Sequence, residues 1–157
     1  MATAIALCKF VGTISLGLLT GVSYTLSTQS LPSLLTLPSA KPAAYTLSQT
    51  ARLATLHIRT LSAISSVSLA LAFYLSPSKV RHPYLLWTSL LAASSGALNL
   101  AMRPDMGERV VKDVVGEVNG EQVEKKAREQ QWIEFVRMGV SGVGFAMGVV
   151  GIWGDGA

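Results

Sequence analysis

His57 and His82 are the only histidines of the chain and Cys8 its only cysteine, so any metal centre or nucleophile relay would have to be built around them. Zinc and related ions need three or four Cys, His, Asp or Glu donors converging on one point. Neither histidine has such a donor at ligand spacing, and both read as polar residues at an interface. No Ser/His/Asp constellation and no phosphate-cradling glycine loop occurs. Cys8 can close no intrachain disulfide and reads as a small apolar helix residue. The expectation is a chain with no catalytic, cofactor-binding or metal-ligating residues.

The elements that would position any chemistry are set by where charge is missing. Half of the 157 residues are apolar and 14% are charged, yet no charge lies between Lys9 and Lys41, Arg59 and Lys79, Arg81 and Arg103, or Arg137 and Asp155. A domain of this size folded in water needs charge along most of its surface. Charge-free tracts separated by Lys and Arg fit hydrocarbon as the solvent. The fold class expected is therefore all-α: an integral membrane bundle of four transmembrane helices, with a polar helical loop between the third and fourth. It forms one domain over residues 1–157. No Lys/Arg run is interleaved with aromatics, so no nucleic acid is expected as a partner.

The spans fall at about 4–28, 60–76, 84–102 and 132–153. Pro32 and Pro38 are expected to end the first helix, because proline lacks an N–H and crowds the preceding turn. Residues 29–44 read as an interfacial connection, and residues from Tyr45 as an amphipathic lead-in to the second span. Pro83 suits the first turn of the third span, whose charge-free window, 82–102, covers roughly 30 Å at about 1.5 Å per residue. The polar loop, 103–131, contains Glu108/Lys112, Glu121/Lys125 and Glu124/Arg128 at helical spacing, together with a valine stripe at 111, 114, 115 and 118. A helical hairpin, a bent helix or a small hairpin turning at Asn119-Gly120 all fit it. Glu134 and Arg137 are expected at headgroup level, leaving no acidic group inside a span, which argues against ion-coupled transport. Asn99, the one amide within a span, is expected to have a satisfied structural role.

The side holding both termini and the 77–83 link carries Lys9, Lys79 and Arg81. The side holding the 29–59 and 103–137 connections carries the other ten basic residues. The positive-inside rule then puts those connections in the cytosol and both termini opposite it. Tyr74, Tyr84, Trp87 and Trp153 mark the termini-side interface and Trp132 the other.

Gly17 and Gly21 form a GxxxG in the first span, and Gly144 and Gly148 another in the fourth. Such strips let helix backbones approach closely. They either pack the first and fourth spans together within one chain or mediate a homo-oligomer.

Two tracts carry a resemblance. Arg81-His82-Pro83-Tyr84-Leu85-Leu86-Trp87 and Gly151-Ile152-Trp153-Gly154-Asp155-Gly156 are similar to tracts of the autophagy-related protein 33 family, and the Gly17–Gly21 region is similar in character. The likeness covers the spans and their order but not residues 103–137. It implies a fungal, multi-pass, mitochondrial outer-membrane protein acting in mitophagy, the selective autophagy of mitochondria. Trp87…Leu90 has autophagy-receptor spacing but lies in a span, and Trp132…Phe135 fits poorly. The expected role is therefore an adaptor or membrane organiser, with the lipid bilayer and a cytosolic protein at the 103–137 loop as partners. The alternatives are a small oxygenase-like membrane enzyme, or a membrane organiser without an autophagy role.

Overall fold

A computed structural model of the chain describes residues 2–77, 81–101 and 119–154. Every regular element among them is helical. Helix α1 (Ala2–Thr25) runs through a π-helical turn (Leu26–Ser30) into the short α2 (Leu31–Leu34). Helix α3 spans Ala40–Leu75, α4 Tyr84–Ala101 and α5 Gly120–Gly154. The long helices form a ring of neighbours in which α1 touches α3 and α5, while α4 touches α3 and α5. Three stretches, Thr3–Leu34, Ala40–Leu75 and Gly120–Gly154, are long and apolar enough to cross a membrane.

Several boundaries differ from the sequence expectation, each for a physical reason. Pro32 does not end the first helix. The wider π turn ahead of it, closed by Leu31 N–H to Leu26 O, makes room for the proline ring in the first turn of α2. The chain turns instead at residues 35–39, around Pro38. The region expected as a connection up to residue 44 is helical from Ala40, and Pro42 is tolerated because the first-turn N–H groups have no intrahelical partner. The expected loop 103–131 also shrinks, because α5 begins twelve residues before the expected span. Asn119 caps it, with Oδ1 accepting the Glu121 N–H at 3.0 Å, so Asn119-Gly120 starts a helix rather than turning a hairpin. Of the expected loop pairs, Glu124–Arg128 closes at 2.9 Å. Glu108/Lys112 and the valine stripe lie outside the described residues.

Two separate apolar cores result. The larger joins Leu16, Leu19 and Leu26 of the first helix to Ile58, Leu69 and Ala72 of α3, and to Leu85 and Ala92 of α4. The smaller joins Leu31 and Leu34 to Ala43 and Leu47 of α3, and to Ala127 of α5. At about 1.5 Å per residue, α3 and α5 are each roughly 50 Å long, and α3 contributes to both cores, one above the other.

The helix contacts are made by small residues and hydroxyls. Ser65 donates to Gly12 O at 2.9 Å, joining α3 to α1. Ser62 donates to Ala92 O at 2.6 Å and Ser89 to Ser66 O at 3.1 Å, joining α3 to α4. A methyl group on Gly12 would meet Leu69 Cγ at 2.6 Å, and one on Gly96 would meet Ser62 Oγ at 2.5 Å. Glycine is thus what allows these two backbones to come close.

Candidate functional site

The polar centre of the molecule lies where α5 crosses α1. The buried residues of α5 are Ala127, Gln130, Glu134, Arg137, Ser141, Gly144 and Gly148, spaced alternately three and four apart. That is the seam of a heptad repeat, but filled with polar and tiny side chains instead of apolar ones. The large apolar residues point the other way: Trp132, Phe135, Val143, Val149, Val150 and Trp153 are all exposed. In water this would be inside out.

Glu134 and Arg137, expected at headgroup level, are 0% and 1% exposed inside the bundle. They form an ion pair of 2.5 Å between Arg137 Nη1 and Glu134 Oε2. Ser23 of α1 donates to Glu134 Oε2 at 3.1 Å, and Gln130 Nε2 donates to Oε1 at 2.7 Å. One turn away on each side the seam stays polar. Ser141 donates to Arg137 O at 2.7 Å and lies 3.0 Å from Thr20 Oγ1, while Gln131 donates to Ser27 O at 2.9 Å. Isolated buried charge is costly, so each charge here is held by the other and by hydrogen bonds. Arg137 Nε and Gln130 Oε1 are exceptions, with no hydrogen-bond partner among the described residues, and Arg137 Nη1 is held by the ion pair alone. The pair thus lies between helices, turned inward from the face that Trp132 and Phe135 present.

Asn99 also departs from expectation. It is 1% exposed, and neither amide atom finds a hydrogen bond among the described residues. His57 and His82 lie apart, His57 on α3 with Nδ1 2.8 Å from Leu53 O, and His82 before α4 with its ring 6.1 Å from that of Tyr84. No group of three metal-ligating side chains assembles among the described residues. Cys8 is a free thiol at the margin of the larger core.

The two glycine strips are offset rather than directly opposed, and Gly17, Gly144 and Gly148 all sit in the contact between α1 and α5. Gly144 lies against Leu16 and Leu91, and Gly148 against Thr13. Gly17 looks at the Phe145 ring, and Gly21 has no atom within 4 Å of where a Cβ would stand. The tracts carrying the family likeness do meet, because the Tyr84 ring lies flat against Gly151 so closely that a methyl group there would overlap it. Arg81 turns back to the end of α3, donating to Ser76 O at 3.3 Å and lying 5.0 Å over the Phe73 ring. It thereby satisfies a helix carbonyl left without an N–H partner. Trp153 is 84% exposed, and nothing lies near Gly154.

Sequence reasoning missed the buried ion pair, Ser23, Gly12 and Gly96. The heptad spacing of the α5 seam could have found the pair, but only to a reader who let polar residues count as interior.

The fold defines an all-helical bundle with a polar seam, an apolar exterior and three helices of membrane-crossing length. The family model for autophagy-related protein 33 matches residues 1–133. Autophagy-related protein 33 of Gibberella zeae is 36% identical over 185 aligned positions, covering 99% of this chain and 93% of the relative. The chain belongs to the autophagy-related protein 33 family, and through it to the proteins of autophagy. The family match runs through the polar segment 103–131, which the first resemblance left out, and stops one residue short of Glu134. No solved structure matches the chain.

Proposed function

We propose that the chain is a non-enzymatic, four-span protein of the mitochondrial outer membrane that serves mitophagy as an adaptor or membrane organiser. One observation carries the membrane part: the seam of α5 buries Gln130, Glu134, Arg137 and Ser141 while its valines and aromatics face outward. Hydrocarbon surroundings make that arrangement favourable, since polar groups then seek one another and apolar groups lose nothing by exposure. Helix α4, with Leu86, Trp87, Leu90 and Leu100 exposed, is the fourth span. The organelle and the selectivity for mitochondria rest on the family resemblance, and the orientation rests on the charge count.

The cytosolic partner surface is the smaller core's outer face. There α5 exposes Glu121, Glu124, Lys125, Arg128 and Glu129 beside the start of α3. Residues 120–137 belong to α5 and bury Ala127, Gln130, Glu134 and Arg137, so removing the whole 103–137 segment would cut the bundle itself. The informative deletion is 103–118.

The experiment is a deletion strain complemented by a tagged copy. Protease protection and carbonate extraction on intact mitochondria read organelle and topology, and mitochondrial turnover under starvation is measured beside bulk autophagy. Carbonate-resistant retention with protected termini and a selective loss of mitochondrial turnover supports the proposal. Release by carbonate, or an equal loss of both kinds of turnover, rejects it.

A further inference from the structure

Between α1 and the first half of α3 the packing opens into a lateral groove of about 570 Å³. Its lining is Gly17, Leu18, Gly21, Val22, Thr25 and Leu26 on one side and Thr50, Leu53, Ala54 and His57 on the other. That volume falls within the range of about 300–1,000 Å³ common for small-molecule sites. Gly21 keeps it open, because no atom lies within 4 Å of where its Cβ would stand.

The groove's polar groups decide what it can hold. It contains no Lys, Arg, Asp or Glu, so it offers nothing to a phosphate or a carboxylate. Arg52 and Arg59 are on the same helix, but at about 100° per residue they fall on the face opposite Thr50, Ala54 and His57. His57 Nδ1 lies 2.8 Å from Leu53 O. A carbonyl only accepts, so Nδ1 carries the proton, which in the uncharged tautomer leaves Nε2 as an acceptor. The Thr25 hydroxyl donates to Gly21 O at 3.0 Å, so it too has only lone pairs left to give. His57 and Thr25 therefore call for a hydroxyl donor, the Thr50 hydroxyl can give or accept, and the wall around Leu18, Gly21 and Val22 suits an apolar body.

We infer that this groove binds a sterol, with its single hydroxyl donating to His57 Nε2 or Thr25 and its ring system lying along the Leu18–Val22 surface. The inference rests on the membrane reading proposed above. On that reading His57 lies two residues from Arg59, about 3 Å along the axis, at the depth where a sterol hydroxyl meets the headgroups. A diacylglycerol also offers a neutral hydroxyl, but its two flexible chains would lose more freedom in a straight, flat-walled groove than a rigid ring system does.

The test uses the full chain reconstituted in phosphatidylcholine vesicles with a diazirine-bearing ergosterol analogue, photolysed and mapped by mass spectrometry. The expected result is labelling concentrated in 17–26 and 50–57, reduced about fivefold or more by excess ergosterol and not by dioleoylglycerol. G21L fills the groove and lowers labelling by a similar factor. H57F, which keeps a ring without an acceptor, weakens the competition by ergosterol. Circular dichroism and carbonate resistance of both variants match the parent. Labelling spread over all outward-facing segments overturns the site, as does labelling undiminished in G21L or competition by dioleoylglycerol equal to that by ergosterol. A chain that carbonate releases from the vesicles overturns the membrane reading itself, whereas a retained chain with diffuse labelling overturns only the sterol site.

Discussion

Glu134 and Arg137 stand one helical turn apart on α5 and close their ion pair with 0% and 1% of their surfaces exposed. Removing one partner strands the other. E134A leaves the Arg137 guanidinium buried without its counter-charge and is expected to cost about 3–5 kcal/mol, whereas the double variant E134L/R137L is expected to lie near the parent or above it. Thermal unfolding of the full chain in detergent micelles measures both. A double variant as damaged as E134A would mean that the pair contributes more than its own mutual compensation.

The opposite case sits two turns earlier on the same helix. Arg128 and Glu124 are 65% and 54% exposed at a distance of 2.9 Å. Solvent screens such a pair, so R128Q is expected to shift stability by no more than about 0.5 kcal/mol. The same unfolding assay, run at low and high salt, reads the difference.

At Gly12 a methyl group would meet Leu69 Cγ at 2.6 Å and Leu69 N at 3.3 Å. G12A is expected to destabilise by about 1–3 kcal/mol, as overpacking of a filled contact does. L69A removes the obstructing side chain, so a double-mutant cycle is expected to give a favourable coupling between the two substitutions. Strict additivity would argue that the contact does not limit the approach of α1 and α3.

Gly151 and Gly154 offer a paired comparison within one turn of helix. The Tyr84 ring covers Gly151, while Gly154 has nothing within 4 Å of its Cβ position. G151A is expected to shift the Tyr84 ring and lower the unfolding temperature. G154A is expected to be neutral, or to gain up to about 1 kcal/mol from helix propensity. Tyrosine fluorescence anisotropy cannot isolate one ring among four tyrosines, so the local readout is the chemical shift of a ¹³C label introduced at Tyr84.

How much of this was legible beforehand depends on which solvent a residue was assumed to face. Helix α4 begins at the residue expected, Tyr84, because Pro83 and a charge-free window both announce it in local sequence. The extent of α5 was not legible, because Gln130, Glu134 and Arg137 have the composition of a wetted loop and only their three-four spacing betrays an interior. The passage of the chain through Pro32 was hidden too, since the π turn that accommodates the ring has no side-chain signature of its own. The meeting of Tyr84 with Gly151 joins residues far apart in sequence. Both tracts were noticeable for their family likeness, but nothing local said that they touch.

The two stacked cores have a consequence for how this molecule would meet others. If hydrocarbon accounts for about 30 Å of a 50 Å bundle and headgroups for about 5–7 Å more on that side, the rest stands clear as a post, with its tip near Pro38 and Gly120 about 13 Å beyond the headgroups. The influence of ions in cellular salt fades within about 8 Å. Whatever docks on that tip is therefore insulated from the charge of the bilayer below, and its grip would not change as the lipid composition of the organelle changes.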